Sequence, residues 1–336
     1  MNVAIEVEMS QERNISIVAG GAGFVGVNLC SRLLEEGRTL VVLDNMSRGR
    51  ESLVRVATRG FDDRVYVLRC DCTDEQALEQ AFEQAVQLGR VDEVWHLAAN
   101  SDIPAGVEDS RVDLKDTFLT TFELLRVMRE FDVGTLHFAS SSAIYGDLGD
   151  TALEESVGPL LPISNYGAMK LASEAAIAAA SESFLTKVNI FRFPNVVGVP
   201  ATHGVIFDFV QKLIARPDAL SVLGDGTQQK AYLHVSDLVE AMLVVRGRTD
   251  ARRIEVVNIG PVDEGVTVRW IAESTISRVQ PPARAEYGQG NRGWVGDVPK
   301  FHYSTARIQA YGWKPKLGSD QAVSRAIDEI ATQFGR

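Results

Sequence analysis

The first half of the chain alternates short apolar runs with helical patterns, and this alternation constrains the fold more than any other feature. Six runs read as almost continuously apolar strands, at 15–20, 39–44, 64–71, 91–99, 134–142 and 187–193. Helical patterns lie between them, at 24–37, 74–88, about 107–131 and about 165–183. Apolar strands that alternate with helices are typical of a parallel sheet covered by helices on both faces. We therefore predict an α/β fold with a doubly wound parallel sheet.

The alternation ends near residue 195, which divides the chain into two predicted domains. Residues 15–195 contain the sheet, and residues 196–336 form mainly a smaller α/β domain. The pattern of that second part predicts helices and short strands, at about 205–215, 220–224, 230–235, 236–246, 267–279 and 319–334. Residues 1–14 lack the basic and apolar regions of a signal peptide, so we interpret them as an N-terminal extension.

Composition argues against several classes of partner. The net charge of −11 over 336 residues disfavours binding to nucleic acid or to an anionic membrane surface. No apolar run approaches the roughly 18 residues that a transmembrane helix needs. Cys30, Cys70 and Cys72 have neither metal-ligand spacing nor an even disulfide framework. We therefore expect no metal site, and reduced thiols in a cytoplasmic protein.

A glycine-rich turn follows the first predicted strand. "VAGGAGFVG" places Gly20, Gly23 and Gly26 three residues apart, between a strand and a helix. Glycines there let the backbone approach a pyrophosphate, which then lies at the N-terminus of the helix. The spacing departs from the usual Gly-x-Gly-x-x-Gly, and a tight turn that binds no ligand explains it equally well.

Asp44 favours the dinucleotide interpretation of that turn. It ends the second strand, where a carboxylate accepts hydrogen bonds from ribose hydroxyls and repels a 2′-phosphate. The sequence therefore predicts NAD rather than NADP, although Arg48 and Arg50 follow closely enough to accommodate a phosphate. Asp71 ends the third strand and either reaches the adenine amino group or caps the strand end, and the sequence leaves both open.

Six motifs resemble the extended short-chain dehydrogenase/reductase family: "GGAGFVG", "LDNMSRGR", "HLAA", "SSSAIYG", "YGAMK" and "RFPNVVG". They are most similar to its nucleotide-sugar branch, typified by UDP-glucose 4-epimerase, over about residues 15–334. The resemblance implies a Rossmann-type NAD-binding domain at 15–195 and a substrate-binding domain at 196–336. It also implies a homodimer in which the helices at about 107–131 and 165–183 form a four-helix bundle. The implied NAD contacts are Gly20, Gly23, Phe24, Val25, Gly26, Asp44, Asn45, Asp71, Cys72, Leu97, Ala98, Ala99, Tyr166 and Lys170.

The resemblance assigns the chemistry to Ser141, Tyr166 and Lys170. The four-residue spacing of Tyr166 and Lys170 in "SNYGAMKLASE" is, by itself, typical of a pair on a helix surface. With Ser141 upstream, the three residues match the spacing of the family. In such a site the tyrosine removes the proton of a sugar hydroxyl while NAD takes the hydride, and the serine positions the substrate oxygen. We expect the charges of Lys170 and of the nicotinamide to lower the pKa of Tyr166.

The two residues after Ser141 bear on the type of reaction. Dehydratases and decarboxylases of the family usually carry an acid there, whereas this chain has Ser142 and Ala143. We therefore predict an NAD-dependent nucleotide-sugar epimerase that inverts C4 through a 4-keto intermediate. A dehydratase, decarboxylase or ketoreductase of the same family is the alternative. A redox-sensing regulator without turnover is disfavoured, because Tyr166 and Lys170 are both present.

The predicted substrate is a nucleotide-diphosphate sugar. The contacts that the resemblance implies are Ser141, Ser142, Tyr166, Asn195, Val205, Lys230 and Arg292. Lys230 replaces an arginine of the family, which leaves its diphosphate contact open. Thr117 and Thr120 replace the Asn and Gly of a family pattern, so the local hydrogen bonding must differ. Asp102 either contacts the substrate or caps the next helix, and we favour the cap. Together these departures favour a sugar other than plain glucose or galactose.

Overall fold

The computed structural model describes residues 13–149, 151–249, 252–290 and 302–336. Within these ranges one parallel sheet contains seven strands, β1 to β7 in chain order: Asn14–Ala19, Thr39–Asp44, Val65–Arg69, Arg90–His96, Thr135–Ala139, Lys187–Arg192 and Ile254–Asn258. Their order in space is β7-β6-β5-β4-β1-β2-β3, so the winding reverses between β1 and β4. Ligands of such sheets bind beyond the carboxyl ends of the strands at this reversal. The predicted Rossmann-type doubly wound α/β sheet is confirmed.

The described residues contain twelve α-helices, and several of them pack on the two faces of the sheet. In chain order they are Phe24–Glu35 (α1), Glu51–Ala57 (α2), Glu75–Leu88 (α3), Ile103–Glu108 (α4), Ser110–Asp113 (α5), Thr120–Glu130 (α6), Asn165–Ser181 (α7), Val205–Ala215 (α8), Val235–Arg246 (α9), Val268–Val279 (α10), Ala306–Ala310 (α11) and Ser319–Gln333 (α12). Alternate strand residues enter two separate cores, because side chains of a strand point to opposite faces. Val18 and Val42 pack with α1 and α9, whereas Ile17 and Val41 pack with α3, α6 and α7.

Two features of the sheet domain differ from the sequence prediction. The helix predicted at about 107–131 begins later and is irregular: α5 continues through a π-helical turn, Leu114–Leu119, directly into α6, whereas α4 is a separate short helix. Such turns are often found at functional sites. The sequence pattern also gave no indication of β7, which lies at the edge of the sheet beside β6.

A further core lies apart from the two that flank the sheet. α8, α10 and α12 pack together through residues that include Val210, Ile271 and Ile327. The short strands pair as Ala152–Leu153 with His302–Tyr303, Asn195–Val197 with Tyr232–His234, Ala219–Val222 with Arg284–Tyr287, and Gln229–Lys230 with Val266–Thr267. The division of the chain at residue 195 stays a prediction, since β7 returns to the main sheet. Among the described helices, none has the length and apolar character to cross a membrane.

Candidate active site

The glycine-rich turn connects β1 to α1 at the carboxyl edge of the sheet. Gly20 has a φ of 77°, and a Cβ there would lie 2.6 Å from the main-chain nitrogen of Ala98. A Cβ at Gly26 would lie 2.5 Å from the carbonyl oxygen of Gly20. Helix α1 follows Gly23, whose lack of a side chain leaves the first N–H groups available to an anion, and Phe24 and Val25 form its first turn. The turn therefore fits a pyrophosphate.

Asp44 ends β2 beside this turn and is only 8% exposed. Its Oδ2 accepts a hydrogen bond from the Ala22 amide at 3.0 Å, and its Oδ1 accepts one from the Met46 amide at 2.8 Å. Burial raises the pKa of the carboxyl, and the two amides act in the opposite direction. Because a carboxylate has about four acceptor positions, Asp44 can hold the turn in place and still accept from ribose hydroxyls.

The other predicted cofactor contacts follow the ends of β2, β3 and β4. Asn45 Oδ1 accepts from the Ser47 amide at 3.0 Å. Asp71 accepts from Thr73 Oγ1 at 2.8 Å and pairs with Lys115 Nζ at 3.2 Å. Burial raises the pKa of Asp71, but these partners outweigh it and leave the pKa below its usual value. Asp71 thus caps its own turn, and its adenine contact stays a prediction. The remaining members of this group are Cys72, which is buried, and Leu97, Ala98 and Ala99, which are half-buried.

Ser141, Tyr166 and Lys170 converge at the carboxyl end of β5. Ser141 follows the strand, and its Oγ accepts from the Ala143 amide at 3.1 Å. Lys170 is 2% exposed; its Nζ donates to the Ala139 carbonyl at 2.6 Å and lies 5.9 Å from the centre of the Tyr166 ring. The side chain of Ser141 acts on Tyr166, because it lowers the pKa of that tyrosine. The structure thus brings the three predicted catalytic residues together, while their roles stay predictions.

Burial governs the ionisation of this pair. Burial raises the pKa of Tyr166 to about 12, and the smaller, opposite effect of the Ser141 side chain does not cancel this rise. Burial lowers the pKa of Lys170 to about 7, whereas the carboxylates of Glu174 and Asp113 raise it. Burial is the larger effect on the tyrosine in the chain by itself, and the lowering expected from Lys170 and the nicotinamide together stays a prediction. The positive charge of an oxidised nicotinamide would favour tyrosinate.

Sequence analysis did not indicate Asp113, a buried carboxylate close to this pair. It ends α5 and is fully buried, and its Oδ1 accepts from Asn100 Nδ2 at 2.9 Å. Its Oδ2 has no hydrogen-bond partner within the described ranges and lies against Gly106, where there is no room for a Cβ. Burial raises its pKa, and the negative charge of Asp113 raises the pKa of both Tyr166 and Lys170.

Two residues that depart from the family pattern, Thr117 and Asp102, are joined by hydrogen bonds through Asn100. Thr117 Oγ1 accepts from the Asn100 amide at 3.2 Å, and Asn100 Oδ1 accepts from the Asp102 amide at 2.9 Å. Asp102 Oδ1 in turn caps α4 at the Ala105 amide, at 3.2 Å, as favoured from the sequence. Its Oδ2 pairs with Arg48 Nη2 at 2.9 Å. Both residues are about two-fifths exposed, and their contact joins the loops after β2 and β4.

The predicted substrate contacts are less closely defined. Ser142 begins the short helical turn Ser142–Tyr145, and its amide donates to the Phe193 carbonyl at 3.1 Å. Asn195 is exposed and pairs in register with Tyr232, which brings the segment of Lys230 next to it. Val205 begins α8. Arg292 lies outside the described residues. All these contacts stay predictions.

A model of the NAD dependent epimerase/dehydratase family matches residues 16–260. The chain belongs to this family. It is 31% identical to the UDP-glucose 4-epimerase of Streptomyces lividans over 324 residues, which is 92% of this chain and 94% of that protein. This confirms the predicted family, and the NAD predicted from Asp44 and the glycine turn is the cofactor of that family.

Solved structures of the family share the whole fold. A UDP-galactose 4-epimerase superposes with a TM-score of 0.81 at 32% identity, covering 95% of this chain and 99% of that one. The UDP-glucose 4-epimerase of Thermus thermophilus, in complex with NAD, gives a TM-score of 0.80 at 28% identity, covering 94% and 98%.

Several residues of the site were missed from the sequence. Glu174 lies four residues after Lys170, a spacing that places both on one face of a helix, and this signal was available. Its partner Arg192 directly precedes the "FPN" of a recognised motif. Asp113 carries no such signal, because its burial depends on how α5 packs against α4 and α7.

Proposed function

We propose that this member of the family is an NAD-dependent nucleotide-sugar epimerase that inverts C4 of its substrate through a 4-keto intermediate. The observation that carries this proposal is the convergence of Ser141, Tyr166 and Lys170 at the carboxyl end of β5. The glycine turn and Asp44 follow β1 and β2 at the same edge of the sheet. An acid–base group therefore lies on the edge where a nicotinamide nucleotide binds.

The chain supplies proton transfer, positioning and charge. Tyr166 removes the proton of the C4 hydroxyl and later returns it, and Ser141 holds the same oxygen through its hydroxyl. Lys170, fixed to Ala139, offers positive charge beside the tyrosine ring. Bound NAD supplies a reversible acceptor for the C4 hydride. Inversion at C4 requires the keto sugar to present its other face before the hydride returns.

The proposed substrate class is a UDP-sugar. Relatives across most of the chain carry the name UDP-glucose 4-epimerase, and the UDP-glucose 4-epimerase of Thermotoga maritima, 25% identical with a TM-score of 0.79, was solved with UDP-glucose. Asn195 pairs in register with Tyr232, two residues after Lys230, so an amide and a cation occur in neighbouring segments. Because Asp102 caps a helix and pairs with Arg48, it gives little reason to expect an unusual sugar.

The structure adds no support for the dehydratase or decarboxylase alternative. Those reactions need an acid beside the reacting carbon, and Ser142 and Ala143 hold the positions where the family usually places it. Asp113 does not substitute for that acid, because it is fully buried and its Oδ2 lies against Gly106.

The homodimer is also a proposal. Leu114, Phe118 and Phe122 follow one another at intervals of four residues, and Leu114 and Phe122 are 45% and 51% exposed. A contiguous apolar stripe of this kind commonly marks an interface between proteins. The stripe lies along the π-helical turn and the start of α6, within the first of the two segments named for the four-helix bundle. Phe122→Glu should convert a dimer into a monomer in light scattering, and a wild-type monomer would contradict the proposal.

One experiment tests the cofactor and the reaction together. Purified protein is denatured and the released nucleotide is identified, and intact protein is incubated with UDP-, GDP-, CDP- and dTDP-sugars. NMR then reads the configuration at C4. We expect bound NAD and inversion of at least one UDP-sugar.

Tyr166→Phe should reduce the rate by about 10²- to 10⁴-fold. Tyr66→Phe on β3 is the control, because its Oη contacts Arg13, far from β5. Bound NAD with no inversion of any sugar would overturn the proposal.

A further inference from the structure

Glu174 lies one helical turn beyond Lys170 on α7 and is 7% exposed. Its Oε1 accepts a hydrogen bond from Ser140 Oγ at 2.5 Å and another from Arg192 Nε at 3.0 Å. Its Oε2 accepts from Arg192 Nη2 at 2.6 Å. The carboxylate is therefore held by the residue next to Ser141 and, at both oxygens, by one arginine.

Arg192 connects this contact to the far edge of the sheet. It ends β6, is buried, and donates from Nη1 to Tyr145 Oη at 3.0 Å and to the Glu155 carbonyl at 3.1 Å. Tyr145 Oη donates in turn to Asn258 Oδ1 on β7 at 2.7 Å. One buried network thus joins α7, which carries Tyr166 and Lys170, to the segment after β5, which carries Ser141, and to β6 and β7.

The charge of Glu174 acts on Lys170. Burial lowers the pKa of Lys170, and Glu174 is the stronger of the two carboxylates that raise it, ahead of Asp113 on α5. Arg192 on β6 pairs with Glu174 itself, and Lys170 also interacts with Tyr166 on α7 and with His96 on β4. Burial keeps both uncharged at neutral pH. The opposite charge that Lys170 needs inside the protein therefore comes from Glu174 and Asp113.

A buried ion pair is weak evidence for stability, because desolvation of both charges offsets most of their attraction. Apolar residues would fill the space of Glu174 and Arg192 at a similar or lower free energy. The charged pair is therefore better explained by its effect on its neighbours.

We propose that Glu174 is a positioning residue of the catalytic site: anchored by Arg192, it keeps the Lys170 ammonium charged beside Tyr166 and ties the Ser141 segment to α7. The catalytic meaning of this inference rests on the proposed function. The electrostatic part does not, since the charge of Lys170 can be measured without substrate.

The test compares Glu174→Gln with the wild-type protein by NMR titration of lysines labelled at Cε, with Lys170→Met to assign the signal. The amide keeps an acceptor for Ser140 or Arg192 but removes the negative charge. We expect the pKa of Lys170 to fall by on the order of half a unit or more.

In the epimerase assay, kcat of Glu174→Gln at neutral pH should fall on the order of tenfold, with KM changed less than about twofold. Glu182→Gln is the matched control, because Glu182 caps the same helix, is exposed and pairs with Arg253 at the surface.

Glu174→Gln leaves Arg192 buried without its charged partner and can fail to fold for that reason. A second variant keeps the inference testable in that case. The double variant Glu174→Met, Arg192→Met removes both charges, and the pKa of Lys170 should fall in it as well. A Lys170 pKa unchanged in the folded variant, or near the ordinary value of about 10.4 in the wild type, overturns the inference. If the pKa falls while no sugar is turned over by the wild type, the electrostatic inference stands and the epimerase proposal fails.

Discussion

Lys170 donates a hydrogen bond from Nζ to the main-chain carbonyl of Ala139, the last residue of β5, at 2.6 Å. This contact fixes the lysine to the sheet rather than to solvent. It places the ammonium 4.7 Å from the centre of the Phe138 ring and 5.9 Å from that of Tyr166. A lysine has three N–H donors, so two remain for the tyrosine side of the site and for a cofactor ribose.

Asp44→Asn tests the nucleotide preference. The side chain of Asp44 accepts hydrogen bonds from two backbone amides. Asparagine keeps one acceptor oxygen for these amides but lacks the negative charge that repels a 2′-phosphate. We expect the ratio of NAD to NADP affinity to fall on the order of tenfold, which is about 1.4 kcal/mol. The measurement is a nucleotide titration of the cofactor-depleted protein. Asp62→Asn, an exposed acid before β3, should leave the ratio unchanged. An unaltered ratio in Asp44→Asn would show that Arg48 and Arg50 or the loop backbone set the preference.

His96 makes stability depend on pH. It is fully buried at the end of β4, with Nε2 2.9 Å from Thr121 Oγ1, and burial lowers its pKa to about 3. The unfolded chain has a histidine pKa of about 6.5 and binds the proton first. Stability from neutral His96 is therefore present above pH 6.5 and is lost as the pH falls from there towards 3.

The slope of this loss is measurable by chemical denaturation. One histidine contributes at most about 1.4 kcal/mol per pH unit. The free energy of unfolding should fall between pH 6 and 4.5 and stay level between pH 7 and 8 as far as this group is concerned. His96→Asn should flatten the acid limb by up to that amount. An acid limb equally steep in the variant would contradict the role of His96 and assign the loss to other groups whose pKa is lowered, such as His137 and Glu93.

Asp113→Asn should stabilise the protein. The pKa of Asp113 is raised by burial, and the charges of Asp116 and Asp102 add to that effect. For an acid whose pKa is raised on folding, the ionised form costs stability above the folded-state pKa and costs none below the unfolded pKa. We therefore expect a higher Tm for the variant at pH 8, and a difference that disappears near pH 3.5.

A matched control and an activity measurement complete this test. Asp116→Asn, three residues along the same segment and only half-buried, should change the Tm less. The expected stabilisation would come with altered activity, because Asp113 acts on the ionisation of Tyr166 and Lys170. A lower Tm for Asp113→Asn at pH 8 would show that its contact with Asn100 outweighs the desolvation of the charge.

The parts of the molecule that were predictable from sequence are those with local signals. Gly20, Asp44, Tyr166 and Lys170 lie at fixed distances from strand ends, so strand pattern and motif spacing together locate them. The Rossmann-type sheet follows from the same alternation. Each of these features depends on residues that are close together in the chain or on one repeated pattern.

The parts that were missed depend on contacts between distant segments. Arg192 donates a hydrogen bond to Glu174, which is 18 residues away in the chain, and Tyr145 donates one to Asn258, which is 113 residues away. Whether Tyr166 has a raised or a lowered pKa depends on burial, which no local motif encodes. The π-helical turn Leu114–Leu119 is likewise associated with Thr117 and its bond to Asn100, a residue of another loop.

Transfer of deuterium from C4 tests the proposed reaction most directly. The sugar nucleotide that proves to be the substrate is prepared with deuterium at C4 and converted in ordinary water, and NMR and mass spectrometry follow the label in the inverted product. Inversion by hydride transfer to a tightly held cofactor and back retains the deuterium at C4 in essentially every product molecule. Inversion with replacement of the deuterium by solvent hydrogen would contradict the 4-keto mechanism and the roles of Tyr166, Lys170 and Ser141 in it.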